Sequence, residues 1–242
     1  MNLIIDIGNT RVKLAVFKQD SLLEKHVVLK KVFLENVKKI ISDNPKIKNA
    51  IISSVDFFTK EEEIQLRAIT NLTIVSHKLQ LPFLNKYATP ETLGIDRIAL
   101  IAAAAYQYPL QNVLIIDAGT CVTYDLLTHS NNYLGGAISP GLTIRYEALH
   151  NLTAKLPQLK TNDKHALIGN STETSIHSGV INGLINELNG TIQQYQKQYA
   201  DLTVILTGGD ANFLAKRLKS SIFANSNFLL EGLNHLLKTN IN

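Results

Sequence analysis

One short pattern occurs twice in this chain: an apolar strand, an Asp-x-Gly turn with a Thr close behind, and a second strand of alternating hydrophobicity. The first copy is Asp6-Ile-Gly-Asn-Thr and the second is Asp117-Ala-Gly-Thr, 111 positions further on. That period is too long for a solenoid repeat. The repetition therefore predicts two similar half-domains, residues 1–110 and 111–242, with the two turns facing each other across a ligand-binding cleft.

The remaining strands and helices predict an α/β protein. Apolar patterning predicts strands at 2–7, 11–17, 22–28, 50–54, 72–75, 113–127 (as a pair), 133–138 and 202–206. It predicts helices over 31–42, from residue 60, over about 96–106, over 172–199 with an apolar stripe, and two short helices after Thr207-Gly208-Gly209-Asp210.

Composition places this chain among globular proteins and excludes several classes of function. It has 242 residues, of which 45% are hydrophobic and 18% charged, and its net charge of +4 is spread without a basic run typical of nucleic-acid binding. No apolar run approaches the roughly 18 residues of a membrane span. A lone cysteine, Cys121, excludes an internal disulfide and a cysteine metal cluster, which favours a cytoplasmic location.

The first turn carries the residue types that bind phosphate groups. A carboxylate at the end of a buried strand is costly unless a cation or hydrogen-bond donors meet it, and magnesium is the common cation beside phosphates. Gly8 permits backbone N–H groups to point at a ligand, Asn9 and Thr10 add side-chain donors, and Lys13 adds a positive charge. The alternative interpretation is a tight hairpin in which Asp6 merely caps the turn.

Four segments together resemble the type III pantothenate kinases. They are DIGNTRVK (6–13), LGIDR (93–97), DAGTCVTYD with GGAISPGL (117–142), and IGNSTETSIHSG (168–179). These kinases are members of the acetate and sugar kinase, heat-shock chaperone and actin superfamily. The resemblance implies an actin-like ATPase fold in which two ribonuclease-H-like half-domains bind ATP.

The same resemblance implies the site residues. Nucleotide contacts are expected from Asp6, Ile7, Gly8, Asn9, Thr10, Arg11, Val12, Lys13, Gly119 and Thr120. Substrate contacts are expected from Tyr87, Gly94, Ile95, Asp96, Arg97 and Thr172. Asp96 is implied to be the general base, although an Asp at that point of a helix is by its residue type more often an N-cap.

Metal roles are divided between the two aspartates. The resemblance implies that Asp117 binds a monovalent cation, K⁺ or NH₄⁺, and that Asp6 acts on Mg²⁺-ATP indirectly, without binding the magnesium ion itself. The reverse assignment of Mg²⁺ to Asp117 remains open from the sequence.

The implied activity is ATP-dependent phosphorylation of pantothenate to 4′-phosphopantothenate, the first step of coenzyme A biosynthesis, by a homodimer. The competing hypothesis is a nucleotide-binding regulatory or accessory protein on the same fold without kinase activity. An intact Asp96–Arg97 pair favours catalysis, because a nucleotide sensor needs no base.

Overall fold

The computed structural model describes residues 1–8, 11–54, 58–163 and 166–241 and divides the chain into two compact units. Unit 1 comprises Met1–Pro109, Asn131–Tyr133 and Asn227–Asn242, and unit 2 comprises Leu110–Ser130 and Leu134–Ser226. In the described part of the chain, no helix is both long enough and apolar enough to cross a membrane.

The strands and helices are mixed along the chain. The strands are β1 (Asn2–Ile7), β2 (Val12–Lys18), β3 (Ser21–Val28), β4 (Asn49–Ser54), β5 (Asn71–Ile74), β6 (Leu84–Asn85), β7 (Val113–Ala118), β8 (Cys121–Leu127), β9 (Asn132–Pro140), β10 (Thr203–Thr207) and β11 (Phe223–Ala224). The helices are α1 (Phe33–Asp43), α2 (Lys60–Arg67), α3 (Ile95–Gln107), α4 (Leu142–Asn151), α5 (Thr172–His177), α6 (Gly183–Gln198), α7 (Ala211–Ala215) and α8 (Phe228–Asn240).

Unit 1 is built on a sheet of strand order β3-β2-β1-β4-β5. The first three strands pair antiparallel, as a meander, while β4 pairs parallel with both β1 and β5. Every residue of β1 is buried, which explains its nearly uninterrupted apolar sequence. Short β6 pairs with Asn132 and Tyr133, the first two residues of β9.

Helix α8 belongs to unit 1, whereas the sequence predicts that all residues from 111 to 242 form the second half-domain. It packs on α3 so closely that a Cβ on Gly232 would lie 1.9 Å from the Ala99 carbonyl oxygen. Four leucines of α8 are buried: Leu230, Leu233, Leu236 and Leu237. The prediction of two short closing helices is therefore wrong for the second, which has 13 residues.

Within unit 2 the strands follow the order β11-β10-β7-β8-β9. Here β7 pairs antiparallel with β8 and parallel with β10, so β7 holds the place that β1 holds in unit 1. The predicted helix over 172–199 is present as α5 and α6 joined by a π-helical turn, Ser178–Asn182. Its apolar stripe, which includes Leu184, Leu188 and Ile192, is fully buried in the core of this unit.

Candidate active site

The first Asp-Gly turn begins in β1, the central strand of unit 1. Asp6 is only 5% exposed and is flanked in the sheet by Lys13 on β2 and Ser53 on β4. The Lys13 ammonium Nζ donates a hydrogen bond to Asp6 Oδ2 at 3.2 Å. A buried carboxylate is thus held next to a partly exposed cation, a pair that suits contact with an anionic ligand.

Past Asp6, the chain turns back at Gly8, whose N–H donates to the Arg11 carbonyl at 3.1 Å. Ile7 and Val12 pair with each other at the end of the hairpin, and both side chains lie in the unit 1 core. Of these two predicted nucleotide contacts, only backbone atoms are therefore available to a ligand. Two further predicted contacts in this turn, Asn9 and Thr10, lie outside the described residues, and a third, Arg11, is exposed.

Two electrostatic features mark the surroundings of Asp6. Burial raises the pKa of Asp6, while Lys13 opposes this effect and the charge of Asp96 adds to it. Asp96 therefore lies close enough to Asp6 for the two carboxylates to interact. The hydroxyl of Ser53 is buried and has no hydrogen-bond partner within the described ranges. Both Asp6 and Ser53 would gain from a bound cation or polar ligand group.

Asp96 lies in the first turn of α3, where its Oδ1 accepts a hydrogen bond from the Arg97 backbone N–H at 2.8 Å. The N-cap of this helix is Gly94, so the interpretation of Asp96 as the N-cap is wrong. A Cβ on Gly94 would lie 2.5 Å from Asp96 Oδ1. Gly94 thus leaves the carboxylate room at the start of the helix, where the helix dipole favours negative charge. Ile95, another predicted substrate contact, is the first residue of α3.

Arg97 is buried, which is unusual for an arginine. It is 5% exposed, and its Nη2 donates to the hydroxyl of Tyr133 at 2.8 Å. Its guanidinium carbon lies 5.4 Å from the ring centroid of Tyr87, within the range of a cation–π contact. The structure therefore brings Tyr87 and Arg97 together.

The second Asp-Gly turn follows the same plan in unit 2. Asp117 on β7 is partly buried and is flanked by Thr123 on β8 and Thr207 on β10. The Thr123 hydroxyl is buried and, like that of Ser53, finds no hydrogen-bond partner in the part of the chain that the structure describes. Two threonines thus flank the aspartate of the second turn, whereas a lysine and a serine flank that of the first.

Close backbone packing fixes this second turn. Gly119 N–H donates to the Cys121 carbonyl at 2.9 Å, and Thr120 C=O accepts from Gly141 N–H at 3.0 Å. A Cβ on Gly141 would lie 2.1 Å from the Gly119 carbonyl oxygen and 2.6 Å from that of Thr120. Gly141, which ends the segment GGAISPG, therefore has to be a glycine for the turn to keep this shape.

The segment Thr207-Gly208-Gly209-Asp210 packs against the other side of the second turn. Gly208 has a φ of +95°, and a Cβ there would lie 2.4 Å from Asp117 Oδ1. Asp210 N–H donates to the Ala118 carbonyl at 2.9 Å, and burial raises the pKa of the Asp210 side chain. Asp210 is thus the second aspartate, after Asp117, in this part of unit 2.

Thr172, the remaining predicted substrate contact, is the first residue of α5 in unit 2 and is exposed. Ser171 caps the helix, with its hydroxyl accepting from the Thr174 N–H at 3.2 Å. Both residues line a cavity of about 710 Å³ together with Gly169 and Ile176. The cavity offers hydroxyl groups beside an apolar wall.

The comparisons with known proteins identify the family. A model of the type III pantothenate kinase family matches residues 2–194. The chain is 55% identical to the type III pantothenate kinase of Christiangramia forsetii over 240 residues, which is 99% of each chain. It is 51% identical to that of Flavobacterium johnsoniae over 233 residues, 96% of each chain. The chain belongs to the type III pantothenate kinase family.

Solved structures confirm the predicted fold class. A proposed Baf family transcriptional activator from Campylobacter jejuni has a TM-score of 0.64 at 22% identity. A proposed N-acetylmannosamine kinase from Listeria monocytogenes has a TM-score of 0.56 at 12% identity, and a glucokinase from an Antarctic psychrotroph has 0.55 at 14%. Each match covers 98% of both chains. At these identities the likeness shows the fold, that of the actin-like sugar kinases.

In this member of the type III pantothenate kinase family, the predicted site residues are distributed over both units. Unit 1 holds Asp6, Lys13, Tyr87 and the segment 94–97, and unit 2 holds Asp117, Gly119, Thr120 and Thr172. Reasoning from sequence did not single out Ser53, Thr123, Tyr133 and Gly141. Thr123 and Gly141 do lie within the segments DAGTCVTYD and GGAISPGL, which was a usable signal.

Two further residues of the quoted segments lie in different surroundings. His177 packs in the core, where its Nδ1 lies 2.8 Å from the Tyr146 hydroxyl. Cys121 is exposed. No group of three or more His, Cys, Asp or Glu side chains suited to holding a metal ion occurs among the described residues.

Proposed function

We propose that this protein transfers the γ-phosphoryl group of ATP to the primary hydroxyl of pantothenate, the first step of coenzyme A biosynthesis. Family membership supports a kinase of this class. The observation that carries the proposal is the position of Asp96, at the start of α3, within electrostatic reach of the Asp6–Lys13 pair. A base and a phosphate-binding pair in one unit are what transfer to an alcohol requires.

Asp6 and Lys13 contact the phosphates of Mg²⁺-ATP in this proposal, with the Gly8 turn beside them. Their chemistry fits, because magnesium is commonly bound through one or two carboxylates together with substrate phosphates. The bound magnesium ion would neutralise phosphate charge. Lys13 offers an additional positive charge, and Ser53 offers a buried hydroxyl next to Asp6.

Asp96 acts as the general base. The hydroxyl oxygen of pantothenate bonds to the γ-phosphorus, the bond from that phosphorus to the β–γ bridging oxygen breaks, and ADP leaves with the electron pair. The hydroxyl proton passes to the Asp96 carboxylate. Its hydrogen bond from the Arg97 N–H and the space left by Gly94 hold the carboxylate in place for this transfer.

Substrate recognition is assigned to Tyr87, Arg97 and the start of α3 (Gly94, Ile95), with Thr172 contributing from unit 2. A guanidinium group suits the single carboxylate of pantothenate, because its planar donors match two carboxylate oxygens. The cation–π contact between Arg97 and Tyr87 supports their acting on the same ligand.

From unit 2, Gly119 and Thr120 contact ATP and Asp117 binds a monovalent cation, K⁺ or NH₄⁺. The neighbours of Asp117 support a weakly charged site, since Thr123 and Thr207 bring hydroxyl oxygens rather than further carboxylates to its side. Oxygen ligands of this kind suit hard cations.

The working form is proposed to be a cytoplasmic homodimer. The apolar stripe of α6 gives no support for a dimer, because it is buried within unit 2. Support comes instead from Leu152, Leu167 and Ile168, which are each at least 80% exposed in the same unit.

A coupled assay of ADP release tests the proposed function. The purified chain is given Mg²⁺-ATP alone, with pantothenate, or with a panel of other hydroxylated acids and vitamins, and the product is identified by mass spectrometry. We expect pantothenate-dependent ADP release and formation of 4′-phosphopantothenate. The variant Asp96→Asn should keep its fold and lose about 10²- to 10⁴-fold in kcat, the typical contribution of a general base.

The same assay distinguishes the competing hypothesis of a regulatory protein. Nucleotide binding without pantothenate-dependent ADP release would support a regulator and refute the kinase. Near-normal turnover by Asp96→Asn would instead keep the activity and remove Asp96 from the mechanism. The Campylobacter jejuni protein shares only the fold at its level of identity and does not favour either outcome.

A further inference from the structure

Tyr133 connects two of the proposed substrate contacts within unit 1. Its side chain is fully buried, and its hydroxyl accepts a hydrogen bond from Arg97 Nη2 at 2.8 Å. Its ring stacks on that of Tyr87, with the centroids 6.0 Å apart and the planes at 21°. Phe83 meets the same ring edge-on, with a centroid distance of 6.1 Å and an interplanar angle of 75°.

The backbone of Tyr133 also holds the segment that carries Tyr87. Strand β6 pairs with Asn132 and Tyr133, and the Lys86 N–H donates to the Tyr133 carbonyl at 3.0 Å. Leu84 N–H donates to the Asn131 carbonyl at 2.9 Å. The residue immediately before Tyr87 is thus fixed to Tyr133 through the main chain, while the Tyr87 ring is fixed through stacking.

We infer that Tyr133 is a positioning residue for substrate recognition, which sets the orientation of the Arg97 guanidinium and the Tyr87 ring toward the acceptor substrate. This inference rests on the proposed function. Arg97 and Tyr87 come from separate parts of the chain, α3 and the loop after β6, and Tyr133 contacts both. A guanidinium that must meet a carboxylate through two parallel hydrogen bonds depends on such orientation.

The expected consequence is specific to the carboxylate of the substrate. Removing the Tyr133 hydroxyl removes one hydrogen-bond acceptor that orients Arg97, so the affinity for a carboxylate-bearing substrate falls. Asp6 and Lys13 lie on β1 and β2 and take part in none of the Tyr133 contacts given above, so we expect the ATP contacts to keep their geometry. A purely structural role would instead weaken the fold without separating one substrate from the other.

The test compares Tyr133→Phe with Tyr106→Phe, a matched loss of one tyrosine hydroxyl. Tyr106 lies on the same helix as Arg97, about 14 Å further along its axis, and its hydroxyl donates to Asp20 at 3.3 Å. KM and kcat are measured for pantothenate, for ATP, and for pantothenyl alcohol, which keeps the acceptor hydroxyl but lacks the carboxylate. Calorimetry measures pantothenate binding directly.

For Tyr133→Phe we expect KM for pantothenate to rise roughly 5- to 50-fold, the range for a lost hydrogen bond to a charged group. Values of kcat and of KM for ATP should stay within about twofold of wild type. With pantothenyl alcohol, Tyr133→Phe and wild type should differ by less than about twofold, because the group that Arg97 recognises is missing. Tyr106→Phe should match wild type throughout.

Unchanged pantothenate KM in Tyr133→Phe, or an equal rise for pantothenate, pantothenyl alcohol and ATP, would overturn the inference while leaving the kinase activity established. Absence of pantothenate-dependent turnover by the wild type would refute the proposed function and this inference with it. Because KM does not depend on the concentration of folded enzyme, partial loss of stability in a variant leaves the comparison valid.

Discussion

The two Asp-Gly turns occupy the same position in two sheets of the same strand order, yet their surroundings differ. In unit 1 the strand pairing closes at Ile7–Val12, and in unit 2 it closes at Ala118–Val122, which makes the second connection one residue shorter. Asp6 is nearly inaccessible and bonded to a lysine, whereas Asp117 is more accessible and flanked by two threonines.

This comparison teaches that the same motif can have different chemical surroundings in two sheets, set by the residues on the neighbouring strands. In the first turn a buried carboxylate and a cation provide strong local charges. In the second, glycines at 141 and 208 let backbone segments approach the turn closely, so its shape depends mainly on main-chain packing. Each turn nevertheless keeps one buried hydroxyl beside its aspartate, Ser53 or Thr123, that no described residue bonds.

The largest difference between the turns should be seen in the variant Asp6→Asn. We expect kcat/KM for ATP to fall at least about 10²-fold, since phosphoryl transfer depends on placed charges. The melting temperature should not fall, because the variant removes a buried charge. Steady-state kinetics and thermal unfolding measure both. Activity close to wild type would mean that the first turn does not contact the phosphates.

A second comparison sets Gly141→Ala against Gly8→Ala. The added Cβ at 141 would meet two backbone carbonyl oxygens at 2.1 and 2.6 Å, but at Gly8 it would meet one, that of Arg11, at 3.2 Å. We expect Gly141→Ala to lower the free energy of unfolding by about 2–3 kcal/mol and Gly8→Ala by less than about 1 kcal/mol. Chemical denaturation measures both. Equal losses would contradict the view that packing fixes the second turn more tightly.

The variant Asp117→Asn tests the assignment of cations to the two turns. We expect wild-type activity to be stimulated by K⁺ or NH₄⁺ over Na⁺, and the variant to lose that stimulation, an effect of about tenfold or 1.4 kcal/mol. Asp6→Asn should keep the ratio of rates in the three salts. A variant whose potassium response is intact but whose magnesium dependence is shifted would reverse the two assignments.

The smallest effect concerns pH. Burial raises the pKa of Asp6, so this group favours the folded state when protonated. Its contribution to stability is present at low pH and is lost as the pH rises through the raised pKa. The unfolding free energy of Asp6→Asn minus that of the wild type should therefore grow as the pH rises from 4 to 7.5. Denaturation in EDTA tests this, and a difference independent of pH would contradict it.

Local patterns predicted the parts of the fold that depend on local physics. The strands β1, β2 and β7 followed from apolar and alternating residues interrupted by Asp-x-Gly. The helix predicted from residue 60 is present as α2, whose first turn is capped by Thr59 and Glu62. The site residues followed from motifs and from resemblance, and the structure brings Asp6, Lys13, Asp96, Tyr87 and Arg97 into one unit.

What the sequence could not predict depends on contacts between distant residues. Ser53 and Tyr133 are ordinary strand residues until β4 pairs with β1 and β9 pairs with β6. The length of α8 was underestimated because its apolar residues are explained only by their packing on α3. The π-helical turn between α5 and α6 is likewise invisible to a 3.6-residue period, which continues across it.

Helix α8 has a consequence for biosynthesis. A ribosome produces β1 and the Asp96 segment early, but the helix that covers α3 only after all of unit 2 has been synthesised. Until α8 has been synthesised, the hydrophobic core of unit 1, which carries the proposed phosphate-binding pair and base, is incomplete. All strands of unit 2 have been synthesised by then. Unit 1, which carries the proposed base, is therefore completed last, when residues 227–242 pack against the much earlier segment that contains α3.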